Sequence, residues 1–232
     1  MESKEMGRVC VTGGTGFVGS WLIMRLLQHG YSVNMTIRSH PDIVDESSWS
    51  DVDFIKFAKP LLPCYSTCKT LTEKAAIEFA AKNRLHLVSV AASWIHGPFI
   101  TPHCPFTVRI FLDMIFGNGE GVLEQQKYIP FVHVDDVVNA QIFLFAHTNA
   151  NGRYICSSGE TTIYELSKFL SARYPQYQIP IIESSMEGIS GLKYPTLSVK
   201  KLLDTGFKFK YYGQLEEMYD GAIECCKIRG LL

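Results

Sequence analysis

A chain of 232 residues, 47% hydrophobic and 19% charged, can bury a genuine core, which excludes a disordered or low-complexity protein. Its 22 Lys and Arg against 23 Asp and Glu leave a net charge of -1 with no basic stripe, which argues against nucleic acid or an anionic membrane as partner. The polar stretch Met1 to Gly7 carries no targeting signal, the longest apolar run (Leu85 to Ile95) is too short to span a bilayer, and seven cysteines without a CxxC pair point to reduced thiols in the cytoplasm.

Arg8 to Thr12 is a β-branched apolar run that predicts a strand, and it leads into Gly13-Gly14-Thr15-Gly16-Phe17-Val18-Gly19. An apolar-periodic segment from Phe17 to Gln28, closed by His29-Gly30, completes a strand, a tight turn and a helix. Gly13 lets the chain turn off the strand, Gly16 lets the backbone approach a pyrophosphate, and Gly19 lets the helix lie close to its strand. With Thr15, Phe17 and Val18 between them, these positions form a phosphate cradle at a helix N-terminus, where free N–H groups and the positive dipole end meet an anion. A second strand, Ser32 to Ile37, ends in Arg38, where such a fold reads the adenine ribose. An acid at that place selects NAD; Arg38 favours the 2′-phosphate of NADP.

Ser39 to Pro63 is acidic, aromatic and interrupted by prolines, and predicts a loop with one helical turn near Val52 to Phe57. A helix is expected from Pro63 to Asn83, with Asn83 as a left-handed cap and Cys64, Cys68, Leu71, Ala75 and Phe79 as its buried stripe. Tyr65 and Lys69 stand one turn apart beside that stripe. Their pairing suits proton transfer: a phenol with a pKa near ~10 is a poor donor at neutral pH, and a neighbouring cation favours its ionised form.

Leu85 to Ala91 reads as a buried parallel strand, Trp94 to Pro105 as a loop, and Phe106 to Phe116 as an apolar helix. Gly117 to Gly121 is a turn-rich loop without the strand and helix that a phosphate cradle needs. His133, Asp135 and Asp136 invite a metal reading, but one His with adjacent acids lacks convergent spacing; Asp135 or Asp136 as the cap of a helix through Val137, Ala140, Ile142 and Phe145 is the better account, and no metal is expected. A strand at Arg153 to Cys156, a capping box Thr162 to Glu165 opening another helix, and an amphipathic helix from Gln214 to Arg229 complete the chain. The division expected is a dinucleotide-binding unit over 1–150 and a smaller substrate lobe over 151–232.

The glycine motif, Tyr65-Ser66-Thr67-Cys68-Lys69, Trp94 to Ile100, Phe131 to Val137, and the C-terminal Lys200 to Phe207 with Cys225-Cys226-Lys227 together resemble the plant flavonoid reductases of the extended short-chain dehydrogenase superfamily, the vestitone and dihydroflavonol reductases. The resemblance implies an NADPH-dependent reductase of a flavonoid or isoflavonoid ketone, with catalytic Tyr65 and Lys69. It also implies that Lys69 binds the nicotinamide ribose, that Ala92 to Ile95 pass the nicotinamide, and that Thr107 reaches a phosphate. The chain departs from that family in two places. Roughly ninety residues that would hold three strands of the sheet, the Ser of the Ser-Tyr-Lys triad, the adenine loops and much of the substrate pocket are absent, the flanks joining near His40 to Asp42. The family's Pro before Gly97 is also missing, Ala92 or Ser93 standing in its place.

The expected fold is therefore α/β, a Rossmann-like parallel sheet lacking its middle strands, with a small C-terminal substrate lobe. In it Arg8 to Thr12 and Leu85 to Ala91 are expected to pair directly and the chain to be poorly stable. Impaired turnover follows from the absent Ser. A non-catalytic splice or eroded form of such a reductase and a nucleotide-sugar epimerase-like enzyme are the alternatives.

Overall fold

The computed structural model describes residues 7–12, 25–36, 43–53, 55, 63–117, 121–123, 126, 128–182 and 196–231. Strands β1 (Arg8–Thr12) and β2 (Ser32–Thr36) pair in parallel through all five residues, Arg8 opposite Ser32 and Thr12 opposite Thr36. Helical residues 25–28 lie between them, and the Gly30 N–H closes on Leu27 O at 3.0 Å with φ of 81°. This is the strand, helix and parallel strand that the glycine motif and its flanks predict.

The next unit is built on β4 (Val88–Ala92), which runs parallel to β7 (Gly152–Cys156), Val88 opposite Gly152 and Ala92 opposite Cys156. Beside it, β5 (Trp94–His96) pairs in parallel with β6 (Tyr128–His133), and β6 in turn pairs antiparallel with β8 (Gly159–Thr162). Gly159 faces Phe131 in that last ladder, and a Cβ there would sit 2.5 Å from the ring, so only glycine fits. A two-residue strand β3 (Ile43–Val44) pairs with β9 (Thr196–Leu197). Among the described residues four of the five strand pairings are parallel, as expected of a Rossmann-like α/β fold.

Helices pack on these strands. They are α1 (Pro63–Asn83), α2 (Phe106–Phe116), α3 (Val134–Ala146), α4 (Ile163–Arg173), α5 (Lys200–Asp204) and α6 (Leu215–Ile228). One core joins α2, α4 and α6 through Phe111, Leu166, Leu170, Met218 and Tyr219. A second joins β6, α3, β7 and α5 through Val132, Ala140, Leu144, Tyr154 and Leu202, with Val88, Val90 and Ala92 of β4 against it. The capping box forms as the sequence predicts: the Glu165 N–H donates to Thr162 Oγ1 at 3.2 Å, and the Thr162 N–H donates to Glu165 Oε2 at 3.0 Å.

Several expectations give way. β1 does not pair with β4; among the described residues β1 is joined to β2 and β4 to β7. Each strand closes one edge within its own local unit, and the second edge of β4 meets no strand among the described residues. The stripe Cys64, Cys68, Leu71, Ala75 and Phe79 is exposed, not buried. The docked face of α1 is the one through Thr70, Glu73, Ile77 and Ala80, because Glu73 Oε1 accepts from Ser89 Oγ at 2.6 Å and from Arg153 Nε at 3.1 Å. Trp94 to His96 is a strand where a loop was expected, since β6 supplies the hydrogen-bonding partner, and β3 is a strand within the segment read as loop. The left-handed residue after α1 is Arg84, with φ of 55°, and the Asn83 side chain instead donates to Phe79 O at 2.8 Å.

The two edges of the β4–β7 pair are treated differently. On the outer edge of β7 the Ile155 N–H donates to Glu46 Oε1 at 3.1 Å, and Lys201 Nζ donates to Arg153 O at 2.6 Å and Asn151 O at 2.9 Å. Charged side chains thus cap that edge against further pairing. The acidic segment that carries Glu46 is held by Arg153, whose Nη1 donates to Glu46 O and Ser48 O and whose guanidinium lies 3.7 Å from the Trp49 ring centroid. Beside β4 lies instead a groove of about 410 Å³ lined by His86, Leu87, Val88, Val90, Gln141, Leu144 and Phe145, the last 92% exposed.

Candidate active site

The Tyr-Lys pair rests on α1, fixed to β4 and β7 through Glu73, one turn beyond Lys69. Both side chains stand on the flank of the docked face. Tyr65 is 59% exposed, and Lys69 Nζ lies 5.5 Å from the Tyr65 ring centroid. Apart from that contact, neither side chain is engaged in a hydrogen bond or ion pair among the described residues, so both are free to meet a ligand. The helix spacing predicted from sequence is therefore realised as a side-by-side pair.

The remaining candidates are spread over three elements. Ala92 ends β4 opposite Cys156, Ile95 lies in β5 opposite Val132 and packs on the second core, and Thr107 is half-buried in the first turn of α2. No hydrogen bond, ion pair or ring contact among the described residues joins these three to Tyr65 or Lys69. Gly13, Thr15, Gly16, Phe17, Val18, Gly19 and Arg38 lie outside the described residues; what the structure describes of their unit is the parallel register of β1 and β2.

His133, Asp135 and Asp136 are committed to the fold. His133 itself caps α3, its Nδ1 accepting from the Asp135 N–H at 3.0 Å, where an aspartate was expected in that role. Asp136, fully buried, accepts from the Lys210 N–H at 2.7 Å and the Tyr211 N–H at 3.0 Å, while the Asp135 carboxylate receives Lys210 Nζ. Burial pulls the His133 imidazole below its ordinary range, with Asp136 and Asp135 opposing.

His96 lies within the Trp94 to Ile100 motif but has no role of its own legible from sequence; it ends the three-residue strand β5. Its ring is fully buried, stacked on Phe111 with centroids 4.6 Å apart and edge-on to Tyr219 at 4.6 Å, and neither ring nitrogen has a hydrogen-bond partner among the described residues. Burial, with the neighbouring His133 second, pulls its pKa down to about 3.

Residues 9–58 match the model of the NAD dependent epimerase/dehydratase family. The chain is 32% identical to vestitone reductase of Medicago sativa over 330 aligned positions that take in 99% of this chain and 100% of that protein. The chain belongs to the plant flavonoid reductases. It is also 30% identical to dihydroflavonol 4-reductase of Gerbera hybrida, over 100% of this chain and 89% of that protein. The crystal structure of the Medicago sativa vestitone reductase superposes with a TM-score of 0.70 at 33% identity, covering 97% of this chain and 99% of that one. The family chemistry is thus NAD(P)-dependent oxidation and reduction.

This flavonoid reductase is shorter than its relatives in the interior. Setting 330 aligned positions against 232 residues leaves at least 98 positions filled by the Medicago protein alone. A putative anthocyanidin reductase of Ginkgo biloba aligns at a higher 42% identity over only 195 positions, with 82% of this chain and 56% of that protein. Since 82% of 232 residues is about 190, that alignment is nearly gap-free.

Proposed function

We propose that this chain binds NADP(H) and reduces the ketone of a flavonoid or isoflavonoid small molecule of the vestitone or dihydroflavonol type, at a rate well below that of its longer relatives. The observation that carries this reading is Tyr65 and Lys69 side by side, exposed and uncommitted, on a helix anchored to the sheet. The full parallel register of β1 and β2 suits the dinucleotide, because that strand pair brackets the glycine cradle and leads to Arg38.

Gly13, Thr15, Gly16, Phe17, Val18 and Gly19 would hold the pyrophosphate, Arg38 the 2′-phosphate, Lys69 the nicotinamide ribose, Ala92 and Ile95 the nicotinamide side and Thr107 a phosphate. When bound, the reduced nicotinamide supplies the hydride. The Tyr65 hydroxyl gives its proton to the carbonyl oxygen as that oxygen gains charge, and Lys69 favours the phenolate left behind. Without the Ser hydroxyl, the oxyanion lacks one donor, a loss of roughly 3 kcal/mol or about a hundredfold in rate. Residues 1–150 act as the cofactor unit and 151–232 as the substrate lobe, with β7 crossing back to pair with β4. We place the chain in the cytoplasm, in keeping with the free thiols of Cys64, Cys68, Cys104, Cys156, Cys225 and Cys226; among the described residues no helix is long and apolar enough to cross a membrane.

Titration with NADPH followed by protein fluorescence tests the binding half. Saturable binding, weakened at least tenfold by Lys69→Ala, is expected; binding unaffected by that substitution would remove Lys69 from the site.

A further inference from the structure

The segment from Gly97 to Pro105 leaves β5, runs along α6 and enters α2, and the C-terminal helix grips it at several points. Pro98 lies on Gly221, where an added Cβ would come within 3.0 Å of the proline ring. The Phe99 N–H donates to Cys225 Sγ at 3.4 Å, and Arg229 Nη2 donates to Ile100 O at 2.9 Å while its guanidinium lies 5.5 Å from the Phe99 ring centroid. At the end of this seam Cys104 packs against the core that contains Cys226, and each thiol acts on the titration of the other. Cys226 belongs to the larger core and is 3% exposed, whereas Cys104 packs against the same core from its half-exposed rim.

The rest of the fold thus brings together two thiols far apart in sequence, one of them reachable from solvent. We propose that Cys104 and Cys226 are a redox pair which a low-molecular-weight disulfide, such as oxidised glutathione, converts into a disulfide tying the 97–105 segment to α6. The Cys104 thiolate attacks one sulfur of the oxidant, forming a mixed disulfide and releasing one glutathione thiolate. The Cys226 thiolate then attacks Cys104 Sγ, forming the internal bond and expelling the second glutathione. The two protein thiols lose two electrons, the oxidant gains them, and the two thiol protons end on the two glutathiones.

Burial, with Cys226 second, raises the Cys104 thiol to about 11, so thiolate is scarce at neutral pH and oxidation is slow. The rate should rise about tenfold for each pH unit between roughly 7.5 and 8.5. The bond would close a long loop between separate elements, and the oxidised form is expected to melt about 10 °C higher than the reduced form.

The test is to incubate the full chain with oxidised glutathione, block remaining thiols and map peptides by mass spectrometry, with melting measured before and after dithiothreitol. A peptide joining Cys104 to Cys226, a raised melting temperature reversed by the reductant, and both retained in Cys225→Ala but lost in Cys226→Ser are expected. A link through Cys225, Cys104 carrying glutathione alone, or an internal link with unchanged melting would each overturn the proposal. The peptide map of the unsubstituted chain answers the question even where a variant fails to fold.

Discussion

His96 makes acid sensitivity the sharpest prediction. The imidazole is buried between Phe111 and Tyr219 without a hydrogen-bond partner among the described residues, and burial pulls its pKa from an ordinary 6.5 to about 3. The folded chain therefore keeps His96 neutral at pH values where the unfolded chain protonates it. Stability from this group is complete above pH 6.5 and drains away as the pH falls from there towards 3. At about 1.4 kcal/mol per pH unit, lowering the pH from 6.5 to 5 costs on the order of 2 kcal/mol, and the full interval on the order of 4 to 5. His133, also pulled down by burial, acts in the same direction. Urea unfolding of the unsubstituted chain and of His96→Leu at pH 7 and pH 5 isolates the His96 share. The leucine keeps an apolar side chain in place and removes the titrating group, so its loss between the two pH values should be smaller by roughly 2 kcal/mol. Parallel pH dependences in the two proteins would refute a neutral, unpartnered His96.

Other outcomes follow from the same geometry. Arg38→Asp should weaken NADPH far more than NADH in competition titrations, because a charge-assisted contact to the 2′-phosphate becomes a repulsion; equal losses would reassign Arg38. The run from Leu85 to Ser93 has no acid, Lys, Arg or Pro, and among the described residues the second edge of β4 meets no strand, so the chain should self-associate in sedimentation experiments, and Val90→Lys should reduce this; a stable monomer with a sharp thermal transition would count against an edge left open there. Thr162→Ala removes the α4 cap and should cost about 1 kcal/mol in urea unfolding, whereas no change would mean the box contributes nothing.

What could be read from sequence was what neighbours along the chain decide. The bounds of α1 and α2, the capping box at Thr162 and the strand ending at Cys156 follow from local periodicity, proline placement and cap chemistry. Distant partners decided the rest. Trp94 to His96 has no alternation of its own and becomes a strand because β6 lies beside it; Ile43 and Val44 do so because of Thr196 and Leu197. The face of α1 was misread for the same reason. Cys68, Leu71 and Phe79 are an apolar stripe by spacing, yet the Glu73 contacts to Ser89 and Arg153 turn a different face inward. Tyr65 and Lys69 were legible because their relation lies within one helical turn. The Cys104 and Cys226 contact and the burial of His96 arise only once α2, α6 and β5 meet.

The most direct measurement is ketone-dependent oxidation of NADPH by the purified chain, with a flavonoid ketone as substrate and Tyr65→Phe alongside. A rate about a hundredfold below that of vestitone reductase, and abolished by Tyr65→Phe, is the result predicted. Turnover matching the longer enzyme, or activity that survives the loss of the phenol, would contradict it.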